Sequence, residues 1–67
     1  MNLLKEKILE LRKEKGLTQQ QLADAVGTTK HSIHSWEKGR SEPSADFIIS
    51  LARFFCVSAD YLLGSDG

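Results

Sequence analysis

A single cysteine, Cys56, stands among the 67 residues, so no internal disulfide can form and nothing requires an oxidising compartment. No apolar run approaches the roughly 18–20 residues of a membrane span. The opening MNLLKEKILELRKEKG spaces charges through a stretch where a secretory signal would be unbroken and apolar. The chain therefore reads as cytoplasmic, with no membrane partner. Net charge is missing too: nine Lys and Arg balance nine Asp and Glu, which taken alone argues against nucleic acid. Repeats, low-complexity tracts and strand signals are absent. The length allows one domain, residues 1–67, near the lower limit for a chain that folds alone.

Neutrality conceals a gradient. Residues 1–15 carry five Lys/Arg against three Glu, and residues 28–40 carry three against one. Residues 41–67 reverse the balance, with four Asp/Glu against one Arg. Helix signals recur along the whole chain. Asn2 reads as an N-cap, and Leu4, Ile8 and Leu11 fall at i, i+4 and i+7 before Gly16 stops the helix. Lys13 and Lys15 suit the negative end of that helix. Thr18 and Gln21 form a capping-box pattern opening a second helix over about 19–26, with Leu22, Ala23 and Val26 inward. Thr29 caps a third over about 30–38, stopped by Gly39. Pro43-Ser44 begins a fourth with Ile48, Leu51, Ala52 and Phe55 as its stripe. Val57-Ser58 leads into a short fifth that ends at Gly64.

The expected fold class is thus all-α, a compact five-helix bundle. The second and third helices, joined through Gly27 with about three residues between them, fit a helix-turn-helix unit. In such a unit the first helix crosses the DNA backbone while the second lies in the major groove.

At about 100° per residue, Ile33, Trp36 and Glu37 gather on one side of the third helix, with Thr29 near them. His31, His34, Ser35 and Lys38 gather opposite, and Lys30 lies at the edge. Trp36, beside Ile33, reads as core packing rather than a binding aromatic. Plain solvation is the ordinary fate of such a polar face. The tight glycine turn and the short polar side chains shift the reading toward a groove about 12 Å wide. Amides at the helix N-terminus suit phosphate, and Lys38 and Arg40 reach the DNA backbone.

LTQQQLADAVGTTKHSIHSWEKGRSEPS, followed by LARFFCVSADYLLG, resembles the phage-repressor and Cro-like (lambda-repressor-like) helix-turn-helix family. The resemblance runs from Ile8 to Gly64 and is carried jointly by L-T-Q-x-x-L-A, G-x-T/S-x-x-x-I-x-x-W-E-x-G and V-S-x-D-Y-L-L. It implies sequence-specific binding of a double-stranded DNA operator, as a homodimer, by a bacterial or phage transcriptional regulator, most often a repressor. Such a regulator is nucleoid-associated when DNA-bound. Gln19 matches a glutamine that bonds a phosphate and braces a base-contacting side chain. Thr29, Lys30, His31 and Ser35 match base-reading positions. Lys38 and Arg40 match backbone-contacting positions, and Thr28 and His34 are read as their neighbours on the phosphates. Arg12 and Glu37 match an ion pair that crosses between the first and third helices and holds the recognition helix in place.

Chemistry supports these roles unevenly. Lys30 can donate to O6 and N7 of guanine, and Thr29 offers a methyl group to thymine. His31 donates or accepts according to tautomer. Ser35 is short and needs close approach or a bridging water.

Other constellations fall short. His31 and His34 have a metal-capable spacing, but no third ligand stands near them, so no metal is expected. Cys56 with a histidine lacks an orienting group, and Ser32 and Ser35 lie outside any nucleophile elbow. No enzyme, cofactor or small-molecule ligand is expected. A protein-interaction module, such as an antitoxin-like or adaptor domain, is the competing class. It would expose aromatic or aliphatic anchors on the third helix. Cys56 reads as a small packed residue where the family commonly has Gly or Asn. It is either strained by about 1 kcal/mol or set in a different turn. Phe47, Leu51 and Phe54 form a second stripe, expected beneath the fifth helix and Trp36. The alternative is use in dimerisation with Leu62 or Leu63.

Overall fold

A computed structural model describes residues 4–64 of the chain. Its helices are α1 Leu4–Glu14, α2 Gln19–Val26, α3 Lys30–Lys38, α4 Ala45–Phe55 and α5 Ala59–Leu63. Asn2, expected to cap the first helix, lies outside the described residues.

Local chemistry sets the boundaries. Thr18, Thr29, Ser44 and Ser58 each hold extended backbone, and each side chain accepts from the amide three residues on. One orphan donor per helix is satisfied in this way, worth about 1 kcal/mol each. At Thr18 the box is complete, because Gln21 Oε1 also accepts from the Thr18 amide at 2.8 Å. Gly27 and Gly39 end α2 and α3 in the left-handed region, with φ of 81° and 76°.

Cys56 does the same for α4 without being glycine: φ is 59° and ψ is 42°. The Cys56 amide donates to the last turn, and the Val57 amide reaches the Ala52 carbonyl at 3.0 Å. The expected turn therefore forms, and the strain falls on the cysteine. The expectation that Cys56 is packed is overturned, since its side chain is exposed. Phe55 before it and Val57 after it turn into the core, which leaves the left-handed residue between them facing solvent.

The core takes one large, fully buried aliphatic residue from every helix: Ile8, Leu22, Ile33, Leu51 and Leu62. Ala23, Val26, Trp36, Ala52 and Phe55 complete it. Helix α3 packs against both α1 and α2, α4 against α2 and α5, and α5 closes onto α1. Phe47 lies under Trp36 as expected, with ring centroids 5.4 Å apart and planes tilted by 52°. Phe54 is half-buried and packs against the core. It meets Phe55 edge-on at 5.1 Å, and the Lys15 ammonium at the end of α1 lies 5.6 Å from its centroid. Leu62 is fully buried, whereas Leu63 is 50% exposed, so of the two only Leu63 is free to meet another surface.

Candidate nucleic-acid interface

The turn before α3 leaves little slack. The amides of Gly27 and Thr28 both donate to the Ala23 carbonyl at 2.9 Å, closing α2. Thr29 then caps α3 directly. Its Oγ1 accepts from the Ser32 amide at 3.1 Å and donates to Ser32 Oγ at 3.1 Å. The Thr29 hydroxyl is thereby committed within the helix, and its methyl is what remains to meet a ligand. Ile33 and Trp36 anchor the inner face, with Trp36 only 6% exposed.

The opposite face is open. Thr29, Lys30, His31, Lys38 and Arg40 are exposed, while Thr28, His34 and Ser35 are half-buried. Lys30 and His31 sit at the N-terminal end, and Lys38 and Arg40 at the C-terminal end. The outer face thus has polar groups along its length and a cation at either end. Among the described residues the exposed large hydrophobics are Ile49 and Leu63, on α4 and α5, so α3 offers no apolar anchor. That composition counts against the protein-interaction module.

Orientation of α3 is fixed from behind. Arg12 Nε donates to Glu37 Oε2 at 2.6 Å and Nη2 to Oε1 at 3.1 Å, a two-pronged grip from α1 onto α3. Its remaining arm, Nη1, donates to the Leu17 carbonyl at 2.8 Å, tying the α1–α2 loop into the same unit. The side chains are 13% and 5% exposed, which decides in favour of a buried pair. Removing one partner of such a pair costs about 3–5 kcal/mol, against less than about 1 kcal/mol for an exposed one.

Gln19 adds a third member to this unit. Its Nε2 donates to Glu37 Oε1 at 2.9 Å. The resemblance assigns Gln19 to a phosphate and to bracing a base-reading side chain. In the free chain it is braced itself, by Glu37. Neither this bond nor the Leu17 carbonyl's part has a local sequence signal, because both depend on how α1, α2 and α3 converge. Of the site residues read from the sequence, Arg12, Gln19 and Glu37 are joined by hydrogen bonds. The others share one surface around α3.

The model of the helix-turn-helix family matches residues 8–62. The chain belongs to the helix-turn-helix family. Over 61 residues it is 36% identical to the transcriptional activator BcrR of Enterococcus faecalis, covering 91% of this chain and 30% of BcrR. The c2 repressor of Salmonella phage P22, solved with a synthetic operator, is similar at a TM-score of 0.92 and 32% identity. That match covers 98% of this chain and 100% of the solved one. SinR of Bacillus subtilis, a master regulator for biofilm formation solved with DNA, is similar at a TM-score of 0.82 and 30% identity. There the coverage is 90% of this helix-turn-helix chain and 97% of the other. The chain spans about half, or less, of the length of the first curated relatives it matches.

Proposed function

We propose that this chain is the operator-binding domain of a bacterial or phage transcriptional regulator, acting in the cytoplasm and joining the nucleoid when DNA-bound. It binds double-stranded DNA in a sequence-specific way as a homodimer, and it represses by occupying a site that polymerase needs. The observation that carries this reading is the free, cation-flanked outer face of α3, on a backbone similar at a TM-score of 0.92 to a repressor solved on its operator.

The residues divide the work by reach. Nine residues of α3, at about 1.5 Å each, give a rod that lies within a major groove about 12 Å wide. Thr29, its hydroxyl already bonded to Ser32, presents a methyl that favours thymine. Lys30 donates to guanine O6 and N7, a contact worth about 1–3 kcal/mol of discrimination. His31 and Ser35 read neighbouring base edges, Ser35 through close approach or water. Gln19, Thr28, His34, Lys38 and Arg40 meet phosphates and fix register, which positions the helix without specifying sequence. Arg12 and Glu37 hold α3 at the angle that lets these contacts form together.

Zero net charge makes the non-specific component weak. A single module buries only about 600–1,000 Å² on DNA, so two copies on paired half-sites supply the missing affinity. Similar proteins include an activator and a repressor, so occupancy is the shared act and promoter geometry sets its sign.

Selection from random duplex DNA at low salt, rechecked near physiological salt, tests the reading. Enrichment of an inverted repeat with half-sites about 34–36 Å apart is the expected result. A folded chain that enriches no sequence at either salt would refute it.

A further inference from the structure

Lys5 lies one heptad before Arg12 on α1, and like Arg12 it reaches α3. Where Arg12 grips Glu37, Lys5 runs over the glycine that ends the helix. A Cβ built on Gly39 would fall 2.9 Å from Lys5 Cδ, 3.4 Å from Nζ and 3.7 Å from Cε. The lysine stem therefore occupies the space that the glycine leaves empty. Gly39 is favoured for its φ of 76°, and the flexible lysine stem lies in the space above it.

The ammonium has little to do there on the protein's behalf. The Ser35 and Trp36 carbonyls already accept from the amides of Gly39 and Arg40. Among the described residues Glu37 pairs with Arg12, and no carboxylate pairs with Lys5. Glu42 lines the same shallow cleft, with Leu4, Trp36 and Pro43, without closing on the lysine. A half-buried stem thus holds an unpaired cation at the end of α3, beside the turn that bears Lys38 and Arg40. The partial negative charge of that helix end attracts an ammonium but leaves its hydrogen-bonding capacity unfilled.

We propose that Lys5 is a further DNA-contacting residue, which takes a backbone phosphate of the duplex on the side of the turn facing α1. The assignment rests on the DNA-binding reading above and extends it to a helix outside the helix-turn-helix pair. Such a contact is blind to sequence. It adds one counterion to those released on binding and orients the domain on the backbone.

The test is the salt dependence of affinity for the selected operator and for a random duplex. Lys5→Met keeps an unbranched stem over Gly39 and removes the charge; Lys5→Gln serves as a second charge-removing variant, and Lys5→Arg retains the charge. Lys38→Ala is the positive control. Lys7→Met removes the same charge from the same helix, but at a lysine whose Nζ lies 4.0 Å from the Tyr61 ring centroid on α5.

Losing one phosphate contact flattens the log–log salt slope by about 0.9. A fourfold rise in salt then weakens Lys5→Met about three- to fourfold less than the unmodified chain, equally on both duplexes and with the melting midpoint unchanged. Lys5→Arg keeps the slope. If Lys5→Met and Lys5→Gln keep the full slope while Lys38→Ala loses it, the Lys5 assignment is wrong and the DNA reading stands. An equal loss in Lys7→Met also overturns it, as a bulk charge effect. Absence of salt-dependent binding by the unmodified chain would overturn the parent reading itself.

Discussion

Cys56 holds φ at 59°, where its Cβ crowds the adjoining carbonyl, and its exposed side chain contributes no packing in return. Cys56→Gly is expected to stabilise the domain by about 0.5–1 kcal/mol, net of the entropy that glycine adds to the unfolded chain. For a domain this small that corresponds to a rise of about 4 °C in Tm, readable by calorimetry. A lower Tm would show that neighbouring contacts already relieve the strain. For Arg12 and Glu37, a double-mutant cycle of Arg12→Met and Glu37→Gln, followed by urea denaturation, should give a coupling above about 1 kcal/mol. Zero coupling would remove the bracing role. The pair itself was legible only through the family resemblance, which matches Arg12 and Glu37 to an ion pair between the first and third helices. Gln19's bond to Glu37 was not, because it depends on how the start of α2 meets the end of α3 in space. No local period encodes which oxygen an amide will meet there.

At the level of the helices, α2 and α3 begin and end where caps and glycines place them. Short helices with a Ser/Thr at one end and a left-handed residue at the other leave the chain few alternatives. The inner face of α3 was equally readable from Ile33 and Trp36. Phe54 was harder: on α4 it belongs to a stripe that suits either α5 or the end of α1, and only the packing of α1 against its neighbours decides. The proposed function assigns α3 two kinds of contact. Lys30→Ala should relax preference at one base pair, measured by repeating the selection with the variant, while affinity for random duplex stays near that of the unmodified chain. Arg40→Ala should weaken binding to all sequences alike and lower the salt slope by about 0.9. Identical losses on every sequence from both variants would deny Lys30 a base-reading role.

Over the whole molecule, the charge gradient acquires a spatial meaning. The basic stretches at residues 1–15 and 28–40 fall largely on α1 and α3, which pack together, while the acidic stretch carries α4 and α5. The segregation is one of elements rather than of faces, since Lys7 and Lys15 of α1 lie over Tyr61 on α5 and Phe54 on α4. The exposed Ile49 and Leu63 lie on those last two helices, away from α3, and the homodimer proposed above is testable by stoichiometry. Titrating operator with protein should saturate at two chains per site, and a single half-site should bind far more weakly than the pair. Saturation at one chain per site would exclude the dimer.

The five large, fully buried residues, one per helix, carry a consequence for how the outer face of α3 is lost. With so small a core, no helix has a hydrophobic centre of its own to retain when another leaves. The amides of Ile33 and Trp36 should therefore exchange with deuterium only through global opening, at rates matching those of Leu51. The outer face of α3 is then expected to persist or vanish with the domain as a whole, and a ligand bound to it should raise the Tm of the whole domain.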